Sequence, residues 1–252
     1  MTEFRELLRL AHIGFGFVGL AAFWIPVFTR KGSVGHVRFG TVFLWCVYGI
    51  AASAMIATSH EMYVALGTGS GPTTDPAGFG FAIFLFYIAV ITLASGRHGY
   101  RVIETKLEPT GIDTPGHRLL AFASIAGSAL TIAYALLFWS DLSVIFLALG
   151  PVGVGIGLGM LGYMRDPAVS KMAWWYEHMG AMLGAGVAFH TAFIVFGARR
   201  LFDYSSALGG FAWVPWVLPA ALGVPASIIW TRHYRRKFGD LPAPDAGARV
   251  EA

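Results

Sequence analysis

Charge is scarce in this chain. Asp, Glu, Lys and Arg make up 13% of its 252 residues, against about 25% in average soluble domains. A water-exposed surface needs far more charge than that. The shortage excludes an ordinary soluble enzyme and a disordered protein. It also excludes a nucleic-acid binder, despite a formal net charge of +4. Cysteine occurs once, as Cys46, so no intrachain disulfide can form. Cys46 lies in an apolar run and reads as a small core residue, not a nucleophile. The opening MTEFRELLRLAHIGFG lacks a short apolar region followed by a small-residue cleavage site. The first apolar stretch is therefore expected to be a retained span. There is no lipidation motif.

What is abundant is apolar surface, at 56% of residues. A bilayer core is crossed by about 20 mostly apolar residues in a helix. Seven stretches qualify: residues 7–28, 39–58, 78–95, 119–139, 142–164, 173–198 and 212–231. Lipid leaves backbone groups no partner outside their own element, so the stretches are expected to be helices. The alternation of a membrane barrel is absent. The expected fold is an all-α, polytopic seven-helix transmembrane bundle. It forms one domain, 1–240, followed by a Pro/Ala/Gly-rich disordered tail, 241–252.

Basic residues are unevenly placed. Arg30, Lys31 and Arg38 lie in the first loop, and Arg97, Arg101, Lys106 and Arg118 bound the third. Arg165 and Lys171 bound the fifth, and Arg232, Arg235, Arg236, Lys237 and Arg249 lie in the tail. The other side holds only Arg5, Arg9, Arg199 and Arg200. Positive residues stay in the cytoplasm, so the expected orientation is N-out, C-in. The expected location is a bacterial inner membrane, with the lipid bilayer as first partner. The basic segment 232–237 is expected to meet anionic headgroups.

Glycines suggest packing. The fifth stretch reads GPVGVGIGLGMLG and holds the pairs Gly153/Gly157 and Gly155/Gly159, and the sixth holds Gly180/Gly184. Small residues four apart let helices approach closely, so the fifth and sixth helices are expected to pack tightly. A membrane-protein partner or a homo-oligomer would use the same faces. Pro215, Pro219 and Pro225 are expected to interrupt the seventh helix. Ser124, Ser128 and Thr131 share one face of the fourth.

Ionisable residues inside a membrane are costly and are functional candidates. No Asp or Glu lies deep in any stretch; Glu6 and Glu177 fall at edges. A proton-coupled carrier therefore loses weight. Histidines remain. His12 and His190 are expected at one depth near the outer face, and His36, His117 and His178 at one depth near the inner face. Neutral imidazole is a common metal ligand, and axial His pairs hold haem. The sharp reading is therefore binding of haem b or a transition metal for electron transfer. A zinc hydrolase would use His36, His117 and His178 with Glu177. His178 and His190 are twelve residues apart, so they sit about 120° apart around a straight helix. That angle argues against two haems stacked in one bundle. His60, His98 and His233 fall in expected loops or the tail and receive no role. The alternatives are a transporter or receptor for a small apolar or lipid-like molecule, and an accessory subunit of a larger membrane complex.

Some segments are also familiar as a group. Lys31-Gly32 followed by His36 and Gly40 resembles the KGG-x-x-HR-x-x-G opening of a family of uncharacterised bacterial multi-spanning proteins. Residues 175–185, WYEHMGAMLGA, resemble that family's H-M-G-x-M-I-G-A segment, with Thr191-Ala192-Phe193 following. Residues 219–237 are similar too, with Gly223-Val224-Pro225 and a Trp-x-Arg-x-Tyr ending at Tyr234. The chain departs at Ser33, where Gly is expected, and at Val37-Arg38, where the Arg comes one place late. The resemblance implies a seven- or eight-helix inner-membrane protein and implies no reaction.

Overall fold

The computed structural model describes residues 2–202, 209–211 and 213–240. All the regular structure among them is helical. The helices are α1 (Thr2–Phe28), α2 (Val34–Gly67), α3 (Pro76–Glu104), α4 (Pro115–Leu137), α5 (Ser143–Leu149), α6 (Val152–Arg165), α7 (Ala173–Ala192) and α8 (Val214–Lys237). α7 continues as a π-helical segment, Phe193–Ala198, and a last turn, Arg199–Leu201. α5 and α6 together make one span, so seven spans are long and apolar enough to cross a membrane. This is the all-α bundle of an integral membrane protein. The expected tail from residue 241 lies outside the described residues.

α3 is the centre of the bundle. It packs against α2, α4 and α7, while α1 lies on α2, α6 on α4 and α8 on α7. Half of the most apolar part of α3 is buried, against 11% for α8, so α8 is peripheral. Cys46 is buried beside Phe43, Val47 and Phe189, the core role expected of it.

Two helix ends correct the sequence expectation. α2 continues to Gly67, although a loop was expected from Ser59. The segment SHEMYVAL is polar but contains no breaker, and hydropathy alone misplaces its boundary. α3 continues through Arg97, His98 and Gly99 to Glu104, where a charged, glycine-bearing loop was expected. Those glycines are contact points. A Cβ on Gly96 would meet Val47 at 2.6 Å, and one on Gly99 would meet Met182 at 2.9 Å. They let α2 and α7 close on α3, and they carry His98 into the bundle.

The two helix starts that bear histidines share a device. Ser33 Oγ accepts the backbone N–H of His36, and Thr114 Oγ1 accepts that of His117. Each hydroxyl caps its helix three residues before the histidine.

The break at Gly150-Pro151 is closed by side chains. Tyr87 Oη donates to Gly150 O at 2.7 Å and accepts from Gly153 N at 2.8 Å. Ser128 Oγ donates to the same carbonyl at 2.6 Å. The expected polar stripe of α4 is therefore real and buried, with Ser128 spent on this repair. Tyr87→Phe is expected to lower stability by about 1–3 kcal/mol, because it strands the buried Gly153 N–H. A denaturant titration of the purified protein in detergent, following helicity, measures it.

The glycine pairs do not act alike. A Cβ on Gly153 would meet Ser124 O at 2.6 Å, and one on Gly157 would meet Ala121 O at 2.5 Å. That face seats α6 on α4. At Gly155, Gly159, Gly180 and Gly184 an added Cβ meets nothing within 4 Å. The expected tight packing of the fifth and sixth spans is thus corrected: these four glycines border open space. The prolines of α8 do not interrupt it either, since helix runs unbroken from Val214 to Lys237 around Pro219 and Pro225. Pro215 stands in the first turn, where no intrahelical N–H is needed.

Candidate functional site

The open space is a cavity of about 1300 Å³ between α1, α2, α3, α6, α7 and α8. This exceeds the roughly 300–1,000 Å³ of ordinary small-molecule sites. Arg5, Glu6 and Arg9 near the start of α1 and Glu61 near the end of α2 line one end of it. Its wall is apolar and aromatic, with Phe84, Phe189, Phe193 and Trp216 among the lining side chains. Gly155, Gly159, Gly180 and Gly184 also line it, so missing side chains make much of the room. Its far end holds His98 and Glu177.

His98 is the residue that sequence reasoning missed. It is 4% exposed and sits on α3, three residues beyond the expected end of that span at residue 95. Its Nε2 lies 3.1 Å from Glu177 Oε2, and its Nδ1 lies 2.9 Å from His117 Nε2. The tautomers follow from the partners. A carboxylate only accepts, so His98 carries its proton on Nε2 and donates it to Glu177. His98 Nδ1 is then bare and accepts from His117 Nε2–H. Tyr163 stands edge-on to His98 at 5.7 Å between ring centroids, with its hydroxyl buried and without a hydrogen-bonding partner among the described residues. The usable signal lay in two dipeptides, His98-Gly99 and Glu177-His178. The structure pairs them: Glu177 takes His98, and His178 Nδ1 donates to Gly99 O at 2.8 Å.

The expected inner layer of His36, His117 and His178 therefore splits. His117 belongs to the Glu177–His98 chain. His36 and His178 face each other edge to face, with centroids 6.3 Å apart. His36 Nδ1 donates to Pro26 O at 3.2 Å. Lys31 Nζ donates to the same carbonyl at 2.7 Å and to Val27 O at 2.9 Å, at the C-terminal end of α1. Burial holds the Lys31 ammonium below its ordinary range.

The expected outer layer does not form. His190 packs against Phe23 and Trp24 of α1. Trp24 lies twelve residues beyond His12, or about 18 Å of helix rise. The two histidines thus lie at different depths. Each has its own partners. His12 Nδ1 meets Ser53 Oγ at 2.8 Å, and that hydroxyl gives its own proton to the backbone of α2. His190 Nδ1 donates to Gly186 O at 2.7 Å, and its Nε2 accepts from Trp24 Nε1 at 3.0 Å. Both nitrogens of His190 are occupied, so it has no lone pair left for a ligand. Among the described residues no group of three or more His, Cys, Asp or Glu is arranged to hold a metal ion.

At the basic end, Asp113 forms a two-pronged ion pair with Arg118. The Arg118 guanidinium holds the Asp113 carboxyl below the usual carboxylate range. A lowered folded-state pKa gives stability that is present above the unfolded pKa, about 4, and is lost as pH falls through the folded value. Asp113→Asn is accordingly expected to leave the thermal midpoint at pH 7 almost unchanged, because the pair is exposed. It should also flatten the midpoint's fall below about pH 4, read by a melt series across pH.

Comparison with known family profiles, with characterised proteins and with solved structures finds no match for the chain.

Proposed function

We propose that this protein binds a small apolar or lipid-like molecule in its interhelical cavity, as a transporter or receptor of a bacterial inner membrane. The single observation behind this reading is the cavity: large, aromatic-walled, open by virtue of four side-chain-free positions, and polar at its far end. A bundle packed to the density of a protein interior would have no such room. The N-out, C-in orientation belongs to the same proposal and puts the His98–Glu177 end toward the cytoplasm.

The test is a neutral apolar fluorophore, N-phenyl-1-naphthylamine, titrated into the purified full chain and read by energy transfer from tryptophan. Gly184→Phe fills open cavity space without a backbone clash. It is expected to weaken binding by about tenfold, near 1.4 kcal/mol. Gly162→Phe, at an exposed glycine outside the cavity, is expected to leave it unchanged. Equal binding by both variants would end the reading.

A second reading, ligation of haem b or a transition metal, has support at one place. His36 and His178 each give Nδ1–H to a backbone carbonyl, so each keeps a bare Nε2. A backbone partner on the other nitrogen is what orients a ligating imidazole. A dithionite-reduced spectrum with metal analysis tests it: a Soret band or stoichiometric metal, lost in His178→Ala, is the expected result. Neither signal in the wild type would sink it.

A further inference from the structure

We propose that Glu177 is the binding site for the head of a lipophilic organic cation, which exchanges there with a proton relayed by His98 and His117. The proposal rests on the cavity reading above and names the chemistry of its occupant.

The charge pattern of the cavity carries the first half. Arg5, Glu6, Arg9 and Glu61 line one end, and apart from them Glu177 is the one charged side chain among the described lining residues. Its side chain is 39% exposed, and its only hydrogen-bonding partner among the described residues is His98. A half-exposed carboxylate beside an apolar space presents a charge that a cation complements directly. Along α7, Gly180 and Gly184 leave room for an apolar body next to the head. Farther along, Phe84, Phe189 and Phe193 line an aromatic wall. A neutral lipid would gain nothing from Glu177, and an anion would be repelled by it.

The hydrogen-bond chain carries the second half. With Glu177 ionised, His98 holds its proton on Nε2 and His117 holds its proton on Nε2. A proton arriving at the bare Nδ1 of His117 completes a concerted shift. His117 passes its Nε2 proton to His98 Nδ1, and His98 passes its Nε2 proton to the carboxylate. Three N–H or O–H bonds form and three break, counting the donor outside the chain. The product has Glu177 neutral and both imidazoles neutral, each with its proton moved to Nδ1. The return runs the same path backward and requires no ring rotation. His117 Nδ1 carries no hydrogen bond to a described residue, so it is the open end of the chain. The charged and titratable neighbours are Arg97 and Arg101 on α3, Asp113 before α4 and Tyr163 on α6.

The experiment uses the purified full chain in detergent and tetraphenylphosphonium, whose charge does not vary with pH. Radiolabelled probe is expected to bind more weakly as pH falls, approaching a tenfold loss per pH unit where one proton displaces one cation. Glu177→Gln is expected to lower affinity for the cation at least about tenfold and to retain the neutral fluorophore. His117→Gln keeps an N–H donor for His98 but cannot relay. It should leave equilibrium affinity within about twofold and slow proton uptake, followed by a pH dye in stopped flow, by about tenfold or more. If the neutral fluorophore binds but tetraphenylphosphonium binding is absent, independent of pH or intact in Glu177→Gln, the cation proposal is wrong and the cavity reading stands. If His117→Gln takes up protons at the wild-type rate, the relay is wrong. If neither probe binds, both readings fall together.

Discussion

Gly157→Leu is expected to abolish recovery of a monodisperse protein from the membrane, while Gly155→Leu, two residues away, yields protein as well as the wild type. The contrast follows from helix geometry. A Cβ at position 157 would stand 2.5 Å from Ala121 O and 2.6 Å from Ile125 Cγ1. The first of those is backbone and cannot swing aside, so α6 and α4 must part. Parting them also disturbs Gly153, which lies one turn away against Ser124 O and Tyr87. In a membrane the loss is not offset by hydrophobic collapse, because lipid is as apolar as the helix face. Overpacking of this kind costs about 3 kcal/mol. At position 155 nothing lies within 4 Å, so the same side chain enters the cavity. Size-exclusion profiles of the two variants in one detergent decide the matter. Equal yields would mean that the α4–α6 contact is not the seat of the fold.

His98→Leu is expected to be the most damaging single change at the site itself. The imidazole is buried, and it answers both Glu177 and His117. Removing it leaves His117 Nε2–H without an acceptor, in a residue 3% exposed. It also leaves Glu177 without its donor, although that carboxylate retains contact with the cavity. The expected loss is about 2–3 kcal/mol, taking the orphaned imidazole at full weight and the half-exposed carboxylate at a discount. Denaturant titrations of His98→Leu, Glu177→Gln and the double variant form a cycle. A coupling energy near 1 kcal/mol is expected for groups in direct contact. Strict additivity would show that the pairing contributes nothing.

Much of this architecture was legible from residues alone. Hydropathy located seven spans, because lipid forbids other ways of hiding backbone groups. Cys46 read correctly as core. The site was much less legible, and the reason is specific. Gly96, Arg97, His98 and Gly99 look like a loop because glycine and charge end an apolar window. In the fold those glycines are where neighbouring helices touch, so the helix persists and draws His98 inward. Pairing by depth failed for His12 and His190 for a related reason. Depth counted from an apolar boundary ignores how far each helix projects past it, and α1 begins five residues before the expected span. Glu177 looked peripheral by the same count, although its carboxylate faces the interior. A glycine four residues from another likewise says that a backbone is bare; it does not say whether a helix or a void lies opposite.

Bare backbone toward a void has an engineering consequence. Four positions on two helices, 155, 159, 180 and 184, each accept a methyl group with no neighbour to displace. The chamber's bore is therefore set by residues whose replacement leaves the scaffold untouched. Stepwise Ala and Val substitutions at these sites, adding one and three carbons each, should shift which occupant sizes are accepted, as a collet is closed around a shaft. Selectivity in such a protein can drift or be redesigned faster than its fold can change.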